Sequence, residues 1–383
     1  MELHKQLNRF HYLQNQLLQT VERLGSKHYC NNEDTDISPI GWHLLHCIYV
    51  ETYWLKEKIL KIEKVPDQLE QQGNPLNSEK INRGKNLPEF NSLINWAKHK
   101  IAENRNLLLD CLDKHKANPL VKNNYILQFL ISHHAQHFES MKMGMTARIK
   151  NNWNRRSENS IHIQSTKPKS PGIQIKEGYY NIGNGEQNFS FDNEKPSHSV
   201  YIKKFLISKN PVTNSEWKGF MEDGGYKKKE FWTSSGWIWK KKNNIFYPSH
   251  WLKCDNEKFV MATPSGITQI GETEPVMGVS YHEAKAFANW CGCILPHEYQ
   301  WEIAFTKILD KNLVWEWCSN LFFPYPGFEF FPYRNYSIPS FDYNHKVLRG
   351  GSKYTEIEIA RKSFRNYYND NRRNLFSGLR LAN

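Results

Sequence analysis

Apolar side chains recur every three or four residues through the first 148 positions, and that rhythm then stops. Leu3, Leu7, Phe10, Leu13, Leu17, Val21 and Leu24 form one helical stripe closed by Gly25. Ser38-Pro39 opens a second helix over about 40–62, with Ser and Pro in the usual starting positions. A third helix over 88–115 carries Phe90, Leu93, Ile94, Ala97, Ile101, Leu107 and Leu108, and a fourth covers 119–148. Between the second and third, residues 66–88 hold Pro66, Gly73, Pro75, Gly84 and Pro88 and form a long connection. Four amphipathic helices with one long crossover predict a four-helix bundle.

Residues 149–172 are rich in Lys, Arg, Asn and Ser, with Pro168 and Pro171, and read as a linker or surface strap. Beyond them come short alternating runs at 172–182, 199–207 and 346–348, separated by Gly, Pro and Asn turns. Helical segments stand out at 214–223, at 280–291 (Ser280 and Glu283 forming a capping box) and at 297–309. Most of 222–275 and 319–345 shows no period. The expected organisation is therefore a helical bundle over 1–150, a linker over 151–171 and a loop-rich α+β domain over 172–383.

Composition narrows the function classes. The 39% apolar content supports packed cores, and the aromatic residues concentrate after residue 179. The net charge of +12 comes from dispersed Lys and Arg, without a basic stripe interleaved with stacking aromatics, so no nucleic-acid partner is expected. Seven cysteines at 30, 47, 111, 254, 291, 293 and 318 lack paired CxxC spacing and read as reduced thiols. No secretory signal and no run of 18 apolar residues occurs, so the chain is expected in the cytoplasm and off the membrane. Phosphate-binding loops, a GxGxxG turn and a GxSxG elbow are absent, which leaves nucleotide and esterase chemistry unsupported.

The chemistry-bearing stretch is 130–143. On a helix, His133 and His137 are offset by only about 40°, so both imidazoles share a face and can ligate one divalent metal. Glu139 lies roughly 240° from His133 and is poorly placed as a ligand from the same helix. His43 and His46 on the second helix are the candidate source of a third imidazole, since bundle cores are where facing helices assemble metal sites.

The residues also carry a resemblance. Phe191-Asp192-Asn193-Glu194, Pro211-Val212-Thr213-Asn214, Leu295-Pro296-His297-Glu298 with Trp301-Glu302, Val314-Trp315-Glu316-Trp317, Val347-Leu348-Arg349-Gly350-Gly351-Ser352, Phe364-Arg365-Asn366 and Gly378-Leu379-Arg380 resemble, in order, the formylglycine-generating-enzyme (sulfatase-modifying-factor) domain. The bundle, with Trp42-His43-Leu44-Leu45-His46 and His133, His137 and Glu139, resembles DinB-like metal domains. This fusion is similar to the ergothioneine-pathway sulfoxide synthases and the related selenoneine synthases. Those are non-haem iron(II) enzymes that use O2 to join sulfur or selenium to imidazole C2 of hercynine.

The resemblance implies His46, His133 and His137 as iron ligands, with Glu139 in a supporting role beside them. It implies Gln136 and Asn366 as hercynine contacts, and Tyr333, with Tyr336 second, as the donor of a proton or electron. Tyr367 and Tyr368 replace a Trp-Asp pair of the branch that uses γ-glutamylcysteine; their ring faces are expected to hold a quaternary ammonium. Arg372 keeps a cationic position nearby. Lys80 and Arg83 stand where that branch has two Arg that bind donor carboxylates, and Lys cannot form a bidentate guanidinium–carboxylate pair. These departures bring free cysteine or a selenosugar forward as donor beside γ-glutamylcysteine. Residues 349–383 contain no Cys, which argues against formylglycine generation. The segment between Trp301-Glu302 and Val314-Trp315 is shorter than the family usually shows. A non-catalytic metal-binding module is the reading from another class, and a DinB-type thiol transferase would not need the second domain.

Overall fold

The structure, a computed structural model, describes residues 2–62, 68–154, 160, 162–185, 189–255 and 258–383. It divides into two compact units, Met1–Asn151 and Asn152–Asn383. Pro66 of the long connection, and 155–159 and 161 of the expected linker, lie outside the described residues.

In the first unit the helical stripes become four helices, α1 (Glu2–Leu24), α2 (Ile40–Thr52), α4 (Phe90–Lys114) and α5 (Tyr125–Asn151), with the short α3 (Gln68–Gly73) between α2 and α4. Gly25, at φ +76°, stops α1 in the left-handed conformation that glycine adopts without penalty. The apolar stripes meet in a core of Phe10, Leu13, Leu17, Leu45, Ile48, Leu93, Leu108, Leu127 and Leu130. Two details differ from expectation. The second helix does not stay α: from Tyr53 to Leu60 it widens into a π-helix, and Lys61 ends it in the left-handed region. The long connection is not featureless, because Gln68–Gly73 folds as α3 against α2. A Cβ on Gly73 would come within 2.7 Å of the Tyr49 Cβ, so only glycine lets the end of α3 approach α2 this closely.

The second unit is organised on a four-stranded sheet ordered β10-β9-β8-β11: β8 (Val314–Leu321), β9 (His345–Gly351), β10 (Asn366–Asn369) and β11 (Ser377–Gly378). β9 pairs antiparallel with β8 and β10, and β11 pairs parallel with β8. Smaller pieces surround it. β1 (Ile173–Ile175) pairs with β4 (Phe205–Ile207), β2 (Gly178–Ile182) with β3 (His198–Ile202), and β5 (Trp251–Lys253), β6 (Phe259–Thr263) and β7 (Gly266–Thr268) form a third sheet. Helices α6 (Asn214–Glu222), α8 (Tyr281–Trp290) and α9 (Glu298–Ala304) stand close to where their periods predict, and the Ser280–Glu283 capping box is formed. Helix α7 (Ser234–Lys242) and the β5–β7 sheet fall in the stretch that showed no period. Elements of three to nine residues are too short to display one. Within 151–171, Thr166 N–H donates to the Ser215 carbonyl, and Ser215 Oγ to the Gln164 carbonyl, at the start of α6. All seven cysteines are free thiols.

Buried ion pairs tie the second unit together. Arg380, fully buried, clasps Glu316 through Nε and Nη2 at 2.8 and 2.7 Å and donates to the Ser208 and Leu309 carbonyls. Arg365 clasps Glu298 at 2.8 and 2.7 Å, and Arg349 meets Glu302. Burial alone would push the Glu298 carboxyl up, but Arg365 and Arg349 outweigh it and hold Glu298 below its usual range. These are the same residues that carry the resemblance of the C-terminal half, and they are scaffold. Breaking one such pair strands a buried charge, which costs about 3–5 kcal/mol. Arg380→Met is expected to lower the urea stability of the second unit by that order, read by tryptophan fluorescence; a change below about 1 kcal/mol would contradict the scaffold role.

Candidate metal centre

Helices α2 and α5 lie side by side in the bundle and aim four imidazoles at one another. His46, His133 and His137 each offer a donor atom, and these atoms all lie within 4.8 Å of one another. Ring centroids are 4.5 Å apart for His133–His137, 4.6 Å for His46–His137 and 5.2 Å for His46–His133. His46 and His133 are buried and His137 is half-buried. The helix periods alone explain the assembly: residues four apart on α5 face α2, and residues three apart on α2 face back.

Orientation comes from specific hydrogen bonds. His46 Nδ1 lies 2.7 Å from the Gly73 carbonyl, one of the carbonyls that the end of a helix leaves without a partner. Trp42 Nε1 donates to the adjacent Gln72 carbonyl at 3.1 Å. The Gly73 bond fixes the His46 proton on Nδ1 and leaves Nε2 as its lone pair. His43 Nδ1 stands 2.9 Å from His137 Nδ1. His133 Nδ1 is buried without a hydrogen-bond partner. Behind His46 a stack builds up: the Trp42 indole lies parallel to the imidazole at 4.7 Å, and the Arg83 guanidinium sits 3.8 Å over the other ring system.

Electrostatics keep these rings neutral. Burial lowers His43 to about 3, helped by His46 and Arg83. Burial lowers His46 to about 4 against the Gly73 hydrogen bond, with Arg83 adding to the fall. Burial and the neighbouring histidines take His133 and His137 well below the usual value. Neutral imidazoles with free lone pairs are what a divalent cation requires, and three of them suit a borderline metal of the iron or zinc kind. The donor set fits a metal. Cys47, His133 and His134 form a second group of mutually close donors, in which burial pushes the Cys47 thiol well above its usual value and disfavours the thiolate a metal takes; His134 Nε2 lies 2.6 Å from Glu51. Glu51 is also bonded to Gln14 and Asn104, which makes a buried network beside the triad.

The remaining expected residues fall as follows. Glu139 is buried on α5, while the acceptor seen on a triad imidazole is the Gly73 carbonyl. The Gln136 amide is half-buried and donates to the Ser132 carbonyl of its own helix at 3.4 Å. Arg83, expected at donor carboxylates, is buried, packs on Trp42 and donates to Ser38 Oγ and the Ser78 and Pro75 carbonyls. Lys80, by contrast, is exposed, with Nζ 3.2 Å from the Asp36 carbonyl. In the second unit Tyr367 lies on β10. Its ring stacks on Phe322 at 4.0 Å and its hydroxyl donates to the Tyr336 carbonyl, so it packs the core and does not offer both faces to a cation. Strand alternation puts Asn366 and Tyr368 on the opposite face of β10. Tyr336 stacks on Phe191 at 4.4 Å, and Tyr333 meets Tyr336 edge-on at 6.2 Å. Arg372 follows β10 in a turn closed on the Asn369 carbonyl. A cleft of about 690 Å³ between 164–173 and 208–216 is lined by none of these residues. The sequence reading missed Gly73, Glu51–His134 and the His43–His137 contact. Only Gly73 carried a signal, a glycine in a stretch otherwise free to vary.

Residues 159–309 match the sulfatase-modifying factor enzyme 1-like domain. The chain is 28% identical to the hercynine oxygenase of Mycolicibacterium thermoresistibile, over 91% of this chain and 88% of that protein. It is also 28% identical to the hercynine oxygenase of Mycobacterium tuberculosis, over 92% of each. This chain resembles the hercynine oxygenases over nearly all its length. Ergothioneine biosynthesis protein 1 of Schizosaccharomyces pombe is 26% identical over 51% of this chain and 27% of its own length. The resemblance to hercynine oxygenases thus takes in both units, the triad-bearing bundle included.

The depressed imidazoles give this site an acid liability. The unfolded chain takes up protons below the ordinary histidine value of 6.5, while folded His43 and His46 resist to about 3 and 4. Stability of the metal-free protein is therefore level above 6.5 and falls below it, by roughly 1.4 kcal/mol per pH unit for each such ring. Urea midpoints at pH 7.5, 6.0 and 5.0 are expected to drop steeply across the last two; an unchanged midpoint would contradict neutral burial.

Proposed function

We propose that this chain is an iron(II)- and O2-dependent oxidoreductase of ergothioneine biosynthesis that joins a small thiol to imidazole C2 of hercynine. The observation that carries this reading is the convergence of His46, His133 and His137 within 4.8 Å, in a chain that aligns with hercynine oxygenases across both units. His46, His133 and His137 hold the iron. Bound there, iron(II) supplies the electrons and open coordination positions that O2 activation needs.

The chain's own side chains do the rest. The Gly73 carbonyl keeps the His46 lone pair on Nε2, facing the other two imidazoles. Burial of His46 and His133 excludes water from the back of the site, and half-buried His137 leaves one open side. Gln136, one residue from His137 on α5, and Asn366 on β10 are assigned to hercynine, with Tyr368 offering an aromatic face to its quaternary ammonium. Lys80 and Arg372 are assigned to the carboxylate of the donor. Tyr333 is assigned as the proton donor through its hydroxyl, with Tyr336 second. Glu139 supports the helix-borne ligands from within α5.

The donor is the open chemical variable. On the bundle side, a flexible Lys80 ammonium with Arg83 bonded to protein acceptors favours a donor with fewer carboxylates than γ-glutamylcysteine. Free cysteine fits that description, and a selenosugar, which carries no carboxylate, is the second reading. Iron(II) loaded without oxygen, followed by hercynine, O2 and cysteine, γ-glutamylcysteine or a selenosugar in separate reactions, distinguishes them by the mass of the product. A C2-linked product with cysteine is expected, and it is lost in His137→Ala together with stoichiometric iron. No product with any donor, despite bound iron, would reject the enzyme reading.

A further inference from the structure

Of the four imidazoles that converge where α2 meets α5, His43, His46, His133 and His137, His43 is the one outside the donor set. The group of donor atoms lying within 4.8 Å contains His46, His133 and His137. His43 is buried, with its ring edge-on to Trp42 at 5.7 Å and 5.1 Å from the His137 ring. Its Nδ1 stands 2.9 Å from Nδ1 of His137. At that separation two imidazole nitrogens share one proton in an N–H···N hydrogen bond, because two lone pairs or two protons would repel.

Which nitrogen carries the proton decides what His137 can do. A neutral imidazole has one proton and one lone pair on opposite ring nitrogens. With the proton on His137 Nδ1, His43 Nδ1 accepts it and His137 Nε2 is left with a lone pair. With the proton on His43 Nδ1, His137 carries its own on Nε2, and that nitrogen is closed to a metal. His46 is already set the first way by the Gly73 carbonyl, which takes its Nδ1 proton. We infer that His43 is a positioning residue: its Nδ1 accepts the His137 Nδ1 proton and so holds the His137 Nε2 lone pair toward His46 and His133. This rests on the metal-triad reading above. It gives the second helix two roles one turn apart, His46 as ligand and His43 as orienter of a ligand on the facing helix. A carboxylate or carbonyl usually takes the proton of a metal-bound imidazole, and here a neutral imidazole does so without adding charge to the site.

The test is Co(II) binding to metal-free, full-length protein, followed by its visible absorption. Wild type is expected to bind one Co(II). His43→Leu is expected to weaken binding about 10–100-fold while leaving the shape of the absorption band unchanged. His43→Asn, whose Oδ1 can accept from His137 Nδ1, is expected to recover most of that loss, which a merely space-filling role would not produce. Affinity in His43→Leu equal to wild type overturns the inference and leaves the triad standing. Asn as weak as Leu overturns it too, and so does a band reporting one ligand fewer, which would make His43 a ligand. Wild type that binds no Co(II) overturns the triad and this inference together. Nitrogen-15 spectra of the wild-type imidazoles in the Zn(II)-loaded protein need no variant: a proton on His137 Nδ1 supports the assignment, and one on Nε2 refutes it.

Discussion

Burying an imidazole away from water obliges the protein to satisfy both ring nitrogens, and the first unit is arranged around that obligation. Three rings at the α2–α5 contact find a partner for one nitrogen: the Gly73 carbonyl for His46, His137 for His43 and Glu51 for His134, while His133 Nδ1 has none among the described residues. One donor atom from each of His46, His133 and His137 lies within 4.8 Å of the other two. Lone pairs converging in a poorly solvated core repel, and a divalent cation converts that repulsion into coordination. The site is thus a local defect of the apolar bundle that becomes favourable when a metal enters.

Backbone geometry sets how well those rings are held. Gly73 closes onto α2 because it lacks a Cβ, and that closeness puts its carbonyl on His46. The Trp42–Arg83 stack fixes the other side of the same imidazole and adds positive charge that disfavours its protonation. The second unit uses a different device. Its core of Trp301, Ile308, Phe322 and Val347 is joined by buried ion pairs. Glu298–Arg365 and Glu302–Arg349 tie α9 to β9 and to the residue before β10, and Glu316–Arg380 ties β8 to the C-terminal segment. Buried pairs of this kind specify geometry more than they add stability.

Much of this was legible in the sequence where the period was long. The four long helices and the shared face of His133 and His137 follow from spacing alone, because 25-residue stripes average out individual departures. The Ser280–Glu283 box was legible as well, since a cap needs only four residues. Helix α7 and the β5–β7 sheet were not legible, being shorter than any period that could reveal them. The π-helical end of α2 was hidden because widening a turn leaves the apolar spacing nearly unchanged. At the site, helix geometry supplied two of the three imidazoles. The choice of His46 over His43 came from resemblance, since both stand on one face of α2. The packing of Arg83 on Trp42 and of Tyr367 on Phe322 was not legible. A planar cation or ring gains from stacking on a neighbouring aromatic, and sequence does not show which neighbour is within reach.

The central claim is that His46, His133 and His137, and no sulfur, bind one metal. X-ray absorption at the zinc edge, on protein loaded with one Zn(II) as a redox-silent stand-in, tests it directly. The account predicts imidazole scattering with nitrogen at about 2.0–2.1 Å and no sulfur. A sulfur scatterer near about 2.3 Å would place the metal at Cys47 with His133 and His134 and contradict the triad.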